Sequence, residues 1–148
     1  MQTFLPYADF FTSTQRLDHK RLCKQRVESC QIFRIVCGID SSSRWRNHPA
    51  VKMWEGYTWA IAHYMNACIK QWVYRQFNNT MILQPLDVYP AEYPVWLYDE
   101  EFHASHRSNL LRKDPEYYGR FGWQELPDLP YLWPVFDSSK KGYRLERR

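Results

Sequence analysis

His103 and His106 lie three residues apart on a helix predicted from about Asp99 to Arg112, and so share one face. Two histidines at that spacing can hold a metal ion, and Asp99 one turn back could join them, but no familiar third-ligand pattern accompanies the pair. They open the run His103-Ala104-Ser105-His106-Arg107-Ser108-Asn109-Leu110-Leu111-Arg112-Lys113, in which small polar residues are interleaved with cations; Tyr117 and Tyr118 follow. Cations hold phosphate, and exposed rings offer stacking surfaces for unpaired bases. The same run also fits an ordinary charged helix face with its tyrosines in a core. There is no GxGxxG, Walker loop, GxSxG or CxxC. The expectation is therefore no metal and no cofactor.

An earlier helix carries the next set. Asp18 is a plausible N-cap, and the helix should run to about Cys37 and stop at Gly38. At 100° per residue, Leu22, Cys30, Phe33, Val36 and Cys37 gather on one side. Lys20, Arg21, Lys24, Glu28 and Gln31 gather on the other. Arg26 falls near the centre of the apolar side, where a guanidinium must be paired or hydrogen-bonded. It either snorkels at the helix edge or meets a structural carboxylate, or it lines a cleft with phosphate or a catalytic carboxylate as its partner.

These segments need a scaffold. Residues 7 to 15 are expected to form a short first helix with Asp9 as N-cap. Asn47-His48-Pro49 reads as a helix start, and a long helical segment follows to about Phe77, with a break at Gly56. Its apolar face, including Trp54, Ile61, Met65, Cys68 and Ile69, should supply most of the core. Pro85, Pro90 and Pro94 make residues 80 to 97 an extended connection. Pro127, Pro130 and Pro134 mark an irregular strap whose Leu126, Leu129, Tyr131, Leu132 and Trp133 should pack back onto the helices. The fold expected is all-α: one helical domain over residues 1–137 and a basic tail over 138–148.

The tail, with Lys140, Lys141, Arg144, Arg147 and Arg148 against Glu146, leaves the rest of the chain close to neutral although the whole is +4. It reads equally as a frayed terminus or a phosphate-contacting arm. Cys23, Cys30 and Cys37 stand seven apart on one helix, roughly 10 Å along the axis between neighbours, beyond disulfide reach. They read as small packing residues of a reducing compartment. No stretch has the apolar length to span a bilayer, and the first residues lack a basic and apolar leader, so a cytoplasmic location is expected. A monomer is expected as well.

The run Leu17 to Glu28, the run Asn47 to Trp54 and the run His103 to Lys113 together resemble the pyrimidine-dimer DNA glycosylase/AP-lyase family of the endonuclease V type, in a divergent bacterial and phage branch. The resemblance implies a helical domain that binds damaged double-stranded DNA and flips a base out of the stack. It also implies an N-terminal amine that forms a Schiff base at C1′ of the sugar, with a helix glutamate assisting. That glutamate corresponds to Glu28. Arg26 and Arg107 fall near arginines that contact DNA in the family, Arg26 one position displaced. The family amine belongs to a threonine exposed by loss of the initiator Met. Here Gln2 is too large for that trimming, so Met1 should be retained and should offer its own amine. α-Amines as a class lose their proton around pH 8, so the neutral nucleophile needs little activation.

The expected function is a repair or modification enzyme on damaged or modified pyrimidines, an N-glycosylase with AP-lyase chemistry. Glu28 and Met1 are its catalytic candidates. Arg21, Lys24, Arg26, Asn47, His48, His103, His106, Arg107 and Lys113 are candidates for DNA contact. Two rivals stand beside it. One is a non-catalytic DNA-binding relative, and the other a small-molecule or nucleotide enzyme built around His48, His103 and His106.

Overall fold

Aspartates start several of the helices. The Asp9 carboxylate accepts from the Thr12 amide at 2.7 Å and begins α1 (Phe10–Arg16). Asp18 caps α2 (His19–Val36) through the Arg21 amide, and Asp99 caps α5 (Glu100–Lys113) through the Glu101 amide. Each cap satisfies an amide that the first helical turn leaves without a partner. α2 ends where Gly38 turns to φ +91°, a backbone conformation that costs a Cβ-bearing residue about 1–2 kcal/mol. The computed structural model that these elements belong to describes residues 1–137 and 142–147.

The expected long middle helix is two pieces. His48 caps the single turn α3 (Pro49–Lys52), the chain reverses at Gly56 (φ +83°), and α4 (Thr58–Tyr74) follows. From Ala60 to Ile69 every α4 side chain except His63 is buried, which makes α4 the central helix of the core. Trp54 stacks on Tyr64 at 5.8 Å and meets Trp96 edge-on at 5.1 Å, and Trp96 leans on Phe102 of α5. The short α6 (Pro115–Tyr118) and a 3-10 turn (Gly119–Phe121) close the end of α5.

The all-α expectation needs one correction. β1 (Leu132–Phe136) pairs antiparallel with β2 (Tyr143–Arg147), in the register Leu132↔Arg147 to Phe136↔Tyr143. Pro134 cannot donate to a ladder, which argues against a central strand; in a two-stranded sheet both strands are edges, so it is tolerated. Arg144 and Arg147 of the supposed tail are therefore in a strand, while Lys140, Lys141 and Arg148 lie outside the described residues. Trp133 is buried as expected, but Leu126 and Leu129 stay exposed. Their carbonyls accept from Ser108 and Asn109, so this stretch is tied down by its backbone.

Thr3 to Pro6 are buried without belonging to any helix or strand. Buried backbone groups must be paired, and here distant side chains do it. The Phe4 amide donates to Gln25 Oε1 at 2.9 Å, and the Leu5 amide donates to His106 Nδ1 at 3.1 Å. Leu5 O lies 2.7 Å from His103 Nδ1, and Pro6 O accepts from Arg107 Nη1 at 2.8 Å. The first six residues are thus wedged between α2, α4 and α5.

Candidate active site

That wedge delivers the chain start to α2. The Met1 amine lies 3.9 Å from Glu28 Oε1, and the Gln2 amide donates to Glu28 Oε2 at 2.8 Å. Lys24, one turn earlier, places Nζ 3.9 Å from the same Oε1. The Met1 side chain is only 2% exposed although the residue as a whole is partly exposed. Its accessible surface is therefore on the main chain, to which the amine belongs. Glu28 keeps 15% of its side chain open. A carboxylate facing an accessible amine can hold it in place as ammonium and take its proton when it attacks an electrophile.

A basic surface adjoins this pair. Lys113 Nζ sits 6.0 Å from the Phe4 ring centre. Its pKa is pushed down by partial burial first, then by Arg21, Lys24 and Arg112 around it. Arg112 was not singled out in the sequence, although it stands inside the cationic run. Arg21 also pairs with Asp18 at 3.4 Å, and Arg112 donates to the carbonyls of Pro127 and Leu129. Tyr131, raised to about 12 chiefly by burial, feels both Arg112 and Arg21.

The remaining sequence candidates sit elsewhere. His103 and His106 are buried in the core, where a phosphate could not reach them, and they bind the N-terminal segment instead. Arg107 is 8% exposed and is engaged by Glu125, Glu100 and Pro6 O. Arg26 lays its guanidinium over Trp72 at 4.7 Å and donates to Asn79 Oδ1 at 2.8 Å, which answers the question of its partner on the apolar side. His48 caps α3 through the Ala50 amide and meets the Trp133 ring edge-on. Asn47 lines a pocket of about 420 Å³ with Lys52, Tyr57 and Phe136, among others, and neither Met1 nor Glu28 lines it. The three histidines thus share no open cleft, and no cluster of three metal-ligating side chains occurs among the described residues. The four cysteines are free.

Sequence reasoning also missed Gln25 and Tyr64, both buried. Gln25 was obscured because Arg26 next to it seemed to mark the centre of the inward face. The buried positions Leu22, Gln25, Ser29, Ile32 and Phe33 show that α2 is rotated so that Arg26, Cys30 and Cys37 flank the interface.

His106 makes the clamp sensitive to acid. Burial, with His103 beside it, holds its pKa well below the usual 6.5. Below pH 6.5 the unfolded chain takes up a proton that the folded ring refuses, so stability is full above that pH and falls as pH drops through it. The linkage slope for one such proton is about 1.4 kcal/mol per pH unit. Stability from urea unfolding should be nearly flat above about pH 7.5 and approach this slope between about pH 6 and 5. His106→Asn, which keeps an acceptor for the Leu5 amide, should flatten it; an unchanged slope would remove His106 as its source.

The comparisons bear on the same part of the chain. A search of curated proteins and a search of solved structures each return no match. The family model described as pyrimidine dimer DNA glycosylase matches residues 1–85. That span holds Met1, Gln25, Glu28 and Tyr64, and it stops before α5. With more than half its length matched, the chain belongs to the pyrimidine dimer DNA glycosylase family, a family of DNA-repair glycosylases.

Proposed function

We propose that the protein is an N-glycosylase with AP-lyase activity on damaged or modified pyrimidines in double-stranded DNA, with the α-amine of Met1 as nucleophile. The observation that carries this is the Met1 amine 3.9 Å from Glu28 Oε1, on the accessible main chain of a residue whose side chain is buried. The neutral amine attacks C1′, and the N–C1′ bond forms as the C1′–base bond breaks. The base leaves with the electron pair and takes a proton. Glu28 takes the proton released by the attacking nitrogen. The C1′–O4′ bond then breaks, O4′ is protonated, and C1′=N⁺ forms. Loss of a C2′ proton expels the 3′-phosphate and cuts the strand.

Arg21, Lys24, Arg112 and Lys113 hold backbone phosphates beside the amine. His103, His106 and Arg107 act one step back, by holding the segment that carries it. If Lys24 and Lys113 each contact phosphate, replacing each with Ala should lower the slope of log K against log salt by about one. Fluorescence anisotropy on a lesion duplex across a salt series measures this; unchanged slopes would move the DNA elsewhere.

The direct test is borohydride trapping on UV-irradiated and undamaged duplexes. Hydride fixes the C1′=N⁺ link as a stable amine. The expected result is an adduct confined to the damaged duplex, with Met1 as the modified residue in N-terminal peptide mapping. No adduct, with the amine free and DNA still bound, would overturn the amine chemistry and favour a binding protein or a glycosylase that uses water.

A further inference from the structure

In a parallel β-ladder, one residue donates its N–H to the C=O of residue i−1 on its neighbour and accepts from the N–H of residue i+1. The Gln25 carboxamide does the same for the chain start. Its Nε2 donates to Gln2 O at 3.0 Å, and its Oε1 accepts from the Phe4 amide at 2.9 Å. Gln25 is fully buried on α2, one turn before Glu28. The Tyr64 hydroxyl, also buried, donates to Gln25 Oε1 and lies 3.1 Å from Phe4 O, so the carboxamide cannot rotate freely.

We infer that Gln25, held by Tyr64, is a positioning residue that stands in for a strand partner and sets the register of Met1–Phe4, so that the α-amine meets Glu28. This rests on the amine being the nucleophile. A carboxamide is suited to the task because it carries both a donor and an acceptor at peptide spacing. A carboxylate would lack the donor for Gln2 O, and an aliphatic side chain would lack both. Without the bridge, packing still buries Phe4 and Leu5, but the three residues ahead of them lose the bonds that fix their direction.

The test uses Gln25→Met, similar in length and flexible, on a duplex with a preformed abasic site so that base removal does not limit the rate. The expected outcome is a cooperative thermal melt, unchanged Kd for the duplex, and single-turnover adduct formation slowed about 100-fold. Combined with Glu28→Gln, the loss should be little greater than that of Glu28→Gln alone, because both remove the same encounter. A wild-type rate in Gln25→Met, or losses that multiply, would overturn the proposal. Should Gln25→Met fail to fold, Tyr64→Phe keeps the ring and removes the hydroxyl. Slowing of about 10-fold at unchanged Kd is then expected, and no slowing overturns the claim.

A second readout separates this claim from the parent one. The α-amine is tagged by reductive ¹³C-methylation, and its pH titration is followed by NMR without DNA. A titration that differs between wild type and Gln25→Met supports the positioning role even if wild type forms no adduct, in which case the amine chemistry alone falls. Identical titrations would overturn the positioning role whatever the adduct yield.

Discussion

Protein selectively acetylated at Met1 is expected to bind lesion duplex as before and to yield no borohydride-trapped adduct. An amide nitrogen has no lone pair free to attack C1′, so the loss should be complete within detection. A sharper version keeps a free amine and moves it. A chain starting Gly-Met1, released by a protease, carries its amine about 3.5 Å further along an extended backbone. That displacement is comparable with the 3.9 Å separating the amine from Glu28 Oε1. Misplacement of about 1 Å can already cost 100-fold, so the extended protein should trap at least that much more slowly. Wild-type trapping by the extended protein would show that any nearby amine suffices.

Glu28→Gln should fold, bind and trap slowly, with a rate about 100- to 1,000-fold below wild type. Gln retains an oxygen for the Gln2 amide, so the 2.8 Å bond that orders the chain start can persist. It cannot take a proton, and it no longer holds an ammonium. The lost pair with Lys24, whose side chain is half exposed, is worth less than about 1 kcal/mol. A 100-fold fall is about 2.7 kcal/mol of barrier, too much to come from that contact. If Glu28→Gln traps at the wild-type rate, the residue serves only to order the N-terminus.

Local chemistry made the helices legible. Asp9 and Asp18 each cap a helix as expected, Asp99 stands at the start of α5, Gly38 ends α2, and Pro49 starts α3. The sheet was hidden because Pro134 argues against a strand and because the partner lies in a stretch that reads as a charged tail. Glu28 was legible only through family resemblance, since on helical periodicity it is one more residue of a mixed-charge face. His103, His106 and Arg107 look like surface cations and polar groups. They are buried because their partners, the backbone of Leu5 and Pro6 and the carboxylates of Glu100 and Glu125, arrive from other parts of the chain. No local period encodes such pairings. Gln25 illustrates the same limit, since its acceptor and donor meet residues 21 and 23 positions away.

The pairing of Leu5 with His106 spans 101 residues, and this bears on how the protein is made. The segment that carries Leu5 leaves the ribosome before its partners on α5, which follow about 100 residues later. At about 5–20 residues per second, the amine waits on the order of 5–20 s for the helix that clamps it. Until then the nascent chain has a free terminus but no seat for it beside Glu28. On the proposed mechanism, the arrangement that would cut DNA therefore forms only once α5 has been made, and chains that stall before α5 are left without it.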